Sequence, residues 1–116
     1  MNRPAFAIVA GHGLDAVTTA IGFCLTRGSA IEANPIVRGL ANAVALYLLN
    51  TGSSLPVWTA AGITVGVAKL VVAVLAAVGL VAAARYLDVR VVAVYGYLLG
   101  GVGAVVAITN VGVMLL

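Results

Sequence analysis

The sequence predicts an all-α integral membrane bundle of four hydrophobic helices, the second one short. Three observations predict it. Of 116 residues, 64% are hydrophobic and only 8% are charged, whereas a soluble domain carries about a quarter charged residues. Mean hydropathy is +1.23. The apolar residues form long runs broken by two turn segments, and runs of about 20 such residues suffice to cross a bilayer. There is too little polar surface to coat a globule in water, and the length accommodates one transmembrane domain, residues 1–116, with no separate soluble unit.

The first helix is expected from about Ala5 to Thr26, where Arg27-Gly28-Ser29 gives a stop signal. The opening Met1-Asn2-Arg3 and apolar run are similar to a signal peptide. Gly11, His12, Gly13 and Asp15 interrupt the run too early for a secretory hydrophobic region, so it is read as a mature helix. A polar connector ends in Asn34-Pro35, an N-cap followed by a first-turn proline, and starts a second helix that continues to about Asn50. Its apolar core, Gly39 to Leu49 with Asn42 inside, is short for a crossing. Thr51-Gly52-Ser53-Ser54-Leu55-Pro56 is a turn. The third helix, Val57 to about Ala84, would be about 40 Å long and has to tilt or protrude. After the charged loop Arg85–Arg90, the fourth runs from Val91 to near the C-terminus. Valine-rich runs also suit strands, but lengths this great with so few charges fit membrane helices better.

Helix two decides the topology. If it crosses, Arg27, Arg38, Arg85 and Arg90 share one side against Arg3 alone, and the positive-inside rule puts both termini outside. If it dips in and returns, Arg27 and Arg38 oppose Arg3, Arg85 and Arg90. The charge asymmetry favours four crossings.

Two charges fall near the middle of apolar segments: Asp15 in the first helix and Lys69 in the third. Each costs about 3 kcal/mol at a membrane helix centre on insertion scales. Such residues face a protein interior or a cavity and find a partner, which makes them candidates for one another. Gly11, Asp15, Thr18 and Gly22 fall on one helical stripe, with Thr19 and His12 flanking Asp15. Gly62, Gly66 and Lys69 make a second stripe. A third holds Gly96, Gly100, Gly103 and Asn110. Small residues let membrane helices approach closely, and Thr or Asn side chains then bond across the gap.

The expected ligand or ion site therefore comprises Asp15, Lys69, Thr18, Thr19 and Asn110. His12 stands as a relay candidate because histidine is the side-chain type that changes charge near neutral pH, or else as a packing residue. Glu32 either joins the site or caps the second helix and pairs with Arg27 or Arg38. The same polar set also fits a purely structural role, fixing which helix packs where.

The excluded classes are equally plain. The net charge of +3 comes from scattered arginines at the ends of apolar runs, where they snorkel to headgroups, so no nucleic-acid surface is expected. The single cysteine, Cys24, rules out an internal disulfide, and with one histidine there is no usual metal-ligand spacing. No Ser-His-Asp order, HExxH, Walker loop or CxxC argues for an enzyme, and no cofactor is called for. The expected partners are membrane lipid and further copies of the chain. Two function classes lead: an intramembrane site that binds or conducts a small ion, proton or polar solute, and an assembly subunit whose polar residues set helix register. An intramembrane enzyme comes third, with Glu32, Asp15 and His12 as its candidate set.

The ordered set Gly13-Leu14-Asp15-Ala16-Val17-Thr18-Thr19, Glu32-Ala33-Asn34-Pro35, Lys69 and Asn110 resembles a family of small membrane proteins of unknown function from archaea and some bacteria. Those proteins share a D-x-x-[TS]-T first helix, an E-x-N-P element, a membrane lysine and often an asparagine in the last helix. The resemblance covers most of the chain. It implies that Asp15, Thr18, Thr19, Glu32, Asn34 and Lys69 form a site, and transfers no activity.

Overall fold

A computed structural model describes residues 2–26, 35–52 and 56–115. Four helices make up the fold: α1 (Arg3–Thr26), α2 (Pro35–Asn50), α3 (Val57–Ala83) and α4 (Val89–Leu115). Three of them, α1, α3 and α4, are long and apolar enough to cross a membrane, and the chain is accordingly described as a membrane protein.

Local capping explains where the helices begin and end. α1 starts two residues before the expected Ala5 because Asn2 caps it, its Oδ1 accepting the Ala5 N–H at 2.8 Å, and Pro4 fits the first turn. α4 likewise starts at Val89 because the Asp88 carboxylate accepts the Arg90 N–H at 2.7 Å. α2 stops where Gly52 takes a left-handed φ of 65°, a conformation glycine adopts without steric cost.

α1 is wedged between α3 and α4, which hardly touch each other. Going along α1, Ala16 and Ala20 face Gly66 and Gly62 of α3, while Ala5 and Ile8 cluster with Ala77. The α3 numbers fall as the α1 numbers rise, so this pair is antiparallel. Against α4, Pro4 meets Gly96, Ala7 meets Gly100, and Gly11 meets Gly103. That pair is parallel.

Glycine is what allows the α1–α4 approach. A Cβ on Gly103 would stand 2.6 Å from the Gly11 carbonyl carbon, and one on Gly100 would overlap the Ala7 backbone. On the other face, a Cβ on Gly62 would stand 2.7 Å from the Ala20 oxygen. Gly11, Gly22, Gly62, Gly66, Gly96, Gly100 and Gly103 are all buried. Large apolar side chains such as Leu75, Leu98 and Ile108 point outward, as a lipid-facing surface requires.

The placement of α2 corrects the four-crossing expectation. Because α1 and α3 are antiparallel and successive in crossing, α1 ends and α3 begins at the same end of the bundle. α2 packs along the first half of α3: Ala41 clusters with Val65 and with Phe23 of α1, and Ile36, Val37 and Leu40 share a cleft with Lys69, Val72 and Ala76. It therefore starts near the middle of α3 and finishes where α3 begins. At 16 residues it is about 24 Å long, less than the roughly 30 Å hydrocarbon thickness. The arginine count assumed that every apolar segment crosses; the packing leaves three helices long enough to span and one of half length. Ser53 and Ser54 lie outside the described residues.

Two outcomes follow. With Cys24 replaced by alanine, single cysteines at Asn2 and Asp88 will label from one side of the membrane and a cysteine at Gly52 from the other; a four-crossing chain would put Asn2 and Asp88 on opposite sides. In detergent, Gly100→Val will lower stability by about 1–3 kcal/mol or more through overpacking, while the neighbouring Gly101→Val, whose Cβ would meet nothing within 4 Å, will unfold at nearly the wild-type temperature.

Candidate functional site

The polar node at mid-bundle is built around the Asp15 carboxylate. Asp15 sits halfway along α1, on the side that faces both neighbouring helices, and its side chain is only 8% exposed. A carboxylate there cannot be hydrated, so it must collect donors from protein. Oδ1 takes three: Lys69 Nζ from α3 at 3.0 Å, Asn110 Nδ2 from α4 at 3.0 Å, and Thr19 Oγ1 one turn along α1 at 3.2 Å. Oδ2 accepts from Lys69 at 3.2 Å.

Thr19 is saturated by the same geometry. Its hydroxyl donates to Asp15 and accepts from Lys69 at 3.0 Å and from Asn110 at 3.1 Å. A hydroxyl has one proton and two lone pairs, and all three are used. Thr18 donates to the Leu14 carbonyl at 2.9 Å and its hydroxyl lies 3.1 Å from Asn110 Nδ2, whose two N–H groups are shared among Asp15, Thr18 and Thr19. The orientation of the Asn110 amide follows from its surroundings: a carboxylate oxygen only accepts, so the NH₂ group must face it. Among the described residues, no buried side-chain nitrogen or oxygen lacks a partner.

The ion pair is compact and its charges cancel. Both partners are nearly dry, at 11% exposure for Lys69 and 8% for Asp15, so water screens them little. Desolvating two ions costs several kcal/mol each, and their attraction offsets that cost only with good geometry and further hydrogen bonds. Thr19 and Asn110 supply those bonds. The node also binds α1 to α3 and to α4 at one point.

Asp15 and Lys69 do double duty. They line a cleft of about 550 Å³ whose walls come from all four helices. Apart from these two and His12, the lining is apolar, including Ile36 and Leu40 of α2, Val72 of α3 and Leu99 of α4. His12 stands one turn from Asp15 on the same face of α1 and makes no hydrogen bond or ion pair among the described residues.

The structure thus brings Asp15, Lys69, Thr18, Thr19 and Asn110 together in one network. His12 borders the cleft without joining it. Glu32 and Asn34 lie outside the described residues. Sequence spacing missed the contribution of α2 to the cleft wall, which only its half-length placement reveals. Among the described residues no group of three His, Cys, Asp or Glu side chains could hold a metal. Comparison of the chain with known protein families, characterised proteins and solved structures finds no match, so a functional reading rests on this geometry.

Removing one member of the pair leaves an uncompensated charge in a dry site, at a cost of about 3–5 kcal/mol, whereas removing both approaches neutrality. Thermal unfolding in detergent will accordingly show Asp15→Asn and Lys69→Met each less stable than the double variant. Strictly additive losses would mean that the two side chains do not touch.

Proposed function

We propose that this chain is a small membrane protein that binds a small ion or polar group at the Asp15–Lys69 node, which the ligand reaches through the adjoining cleft. The observation that carries the reading is that both charged residues line the cleft as well as holding the helices together. The charged pair borders a volume of about 550 Å³, well inside the roughly 300–1,000 Å³ typical of small-molecule sites. Intramembrane charges that face cavities commonly mark binding or conduction sites.

In this reading Asp15 is the ligand-binding acceptor and Lys69 the internal counter-charge, which shifts as a guest or a proton takes up part of the carboxylate. Thr18, Thr19 and Asn110 hold the carboxylate in place. Reconstituted protein will show either a flux of Na⁺, K⁺, H⁺ or a divalent cation, or a thermal shift on titration with a polar guest, and Asp15→Asn will reduce that signal to background. Silence in both assays across that set would contradict the reading.

One observation favours a second, structural reading: the hydrogen-bonding capacity of Thr19 is fully used within the bundle. The node would then set helix register in an assembly subunit that packs with copies of itself. Under that reading Asp15→Asn changes the oligomeric size in detergent; under the binding reading it leaves the size unaltered.

A further inference from the structure

The cleft beside the node has a polar floor and an apolar wall, and the polar floor has hydrogen-bonding capacity to spare. Asp15 Oδ2 accepts from Lys69 alone, whereas Oδ1 accepts three donors. A carboxylate offers about four acceptor sites across its two oxygens, so Oδ2 can take another donor. His12 lines the same cleft and, among the described residues, bonds to nothing. A neutral imidazole carries one donor and one acceptor. Asp15 and His12 lie three residues apart on α1, about one turn, and both line the cleft, so a guest in the gap beside them meets both polar groups.

Charge selects among the groups that could fill that gap. Asp15 and Lys69 are opposite in sign, and among the described residues they are the charged groups that line the cleft. An ammonium there would be repelled by Lys69, and a carboxylate or phosphate by Asp15. A hydroxyl is neutral, donates once to Oδ2 and accepts once from the His12 N–H.

Access selects the rest of the molecule. The cleft lies at the level of Asp15 and Lys69, mid-way along α1 and α3. Ile36 and Val72, which border it, are 82% and 66% exposed, so it opens sideways to where acyl chains lie. That opening favours a guest that partitions into the bilayer over one carried in water. An ordinary phospholipid reaches this depth only with its methyl ends, which cannot satisfy His12.

We infer that the cleft holds a lipid alcohol, an uncharged apolar chain ending in one hydroxyl, with the hydroxyl between His12 and Asp15 Oδ2. The inference rests on the reading of the node as a ligand site and names the ligand class of that site.

The test uses the full chain in phosphatidylcholine vesicles and a hexadecanol probe carrying a photoactivatable diazirine in its chain. Crosslinks are expected on the cleft walls, at Ile36, Leu40, Val72 or Leu99. Unlabelled hexadecanol should compete about tenfold more strongly than hexadecane or palmitate, the factor that one or two hydrogen bonds supply. His12→Phe, which keeps the bulk and removes the polar atoms, should lower labelling by a similar factor, and His12→Gln should restore much of it. Equal competition by hexadecane would overturn the inference by reducing the cleft to an apolar filler site, and stronger competition by palmitate would overturn the neutral head. Absent or scattered crosslinks, or wild-type labelling of His12→Phe, would overturn it as well. The Asp15→Asn, Lys69→Met double variant, checked for folding by its unfolding temperature, separates the two levels: labelling unchanged from wild type would sink the node itself as a binding site, while lost labelling with equal alkane competition would sink only the alcohol.

Discussion

An ionised carboxylate in the middle of a membrane helix has no water to turn to, and its demand for donors organises everything else in this protein. Asp15 gathers Lys69 from α3, Asn110 from α4 and Thr19 from its own helix. Lipid supplies no hydrophobic force between apolar helices, so association depends on close packing and interhelical hydrogen bonds. The node provides the bonds. Glycines on both sides of α1 provide the approach, since a Cβ at Gly62 or Gly103 would collide with the facing backbone. Neither device works without the other: the short side chain of Asn110 reaches Asp15 and Thr19 only because the α1 and α4 backbones lie close.

The order of the helices follows. With α1 bound to both α3 and α4, those two scarcely meet although only a short loop joins them. The antiparallel α1–α3 pair then forces the intervening segment to begin and end at one end of the bundle. α2 has the length for about half a crossing and occupies half of α3, leaving a cleft where a full-length helix would have filled the groove. The volume beside the charged pair is thus a consequence of the antiparallel packing of α1 on α3.

Much of this was legible in the sequence because membrane helices obey a simple periodicity. The stripes through Gly11 and Asp15, Gly62 and Lys69, and Gly96 and Asn110 faced inward as spacing implied, and two central charges of opposite sign had few alternatives but each other. What spacing does not encode is which helix neighbours which. Hydropathy treats the α2 segment as one more apolar run, and arginine counting then assigned it a crossing; the antiparallel run of contacts from Ala20 with Gly62 to Ala5 with Ala77 is what denies it one. The helix starts were also misplaced by two residues, because the Asn2 and Asp88 caps lie in polar stretches that a reading of apolar runs passes over. His12 was legible as a neighbour of Asp15 but not as a cleft residue, since the opposite wall belongs to α2.

The account depends on Asp15 and Lys69 meeting as an ion pair inside the bundle in a lipid bilayer. Solid-state NMR on the full chain in vesicles, with ¹³C in the Asp15 carboxyl and ¹⁵N at Lys69 Nζ, measures that contact directly through their dipolar coupling. The structure requires strong recoupling, as for nuclei within hydrogen-bonded contact of one another, with the carboxyl carbon at the shift of an ionised group. No measurable carbon–nitrogen coupling, with Lys69 correlating instead to lipid headgroups or water, would contradict the three-helix node and the topology built on it.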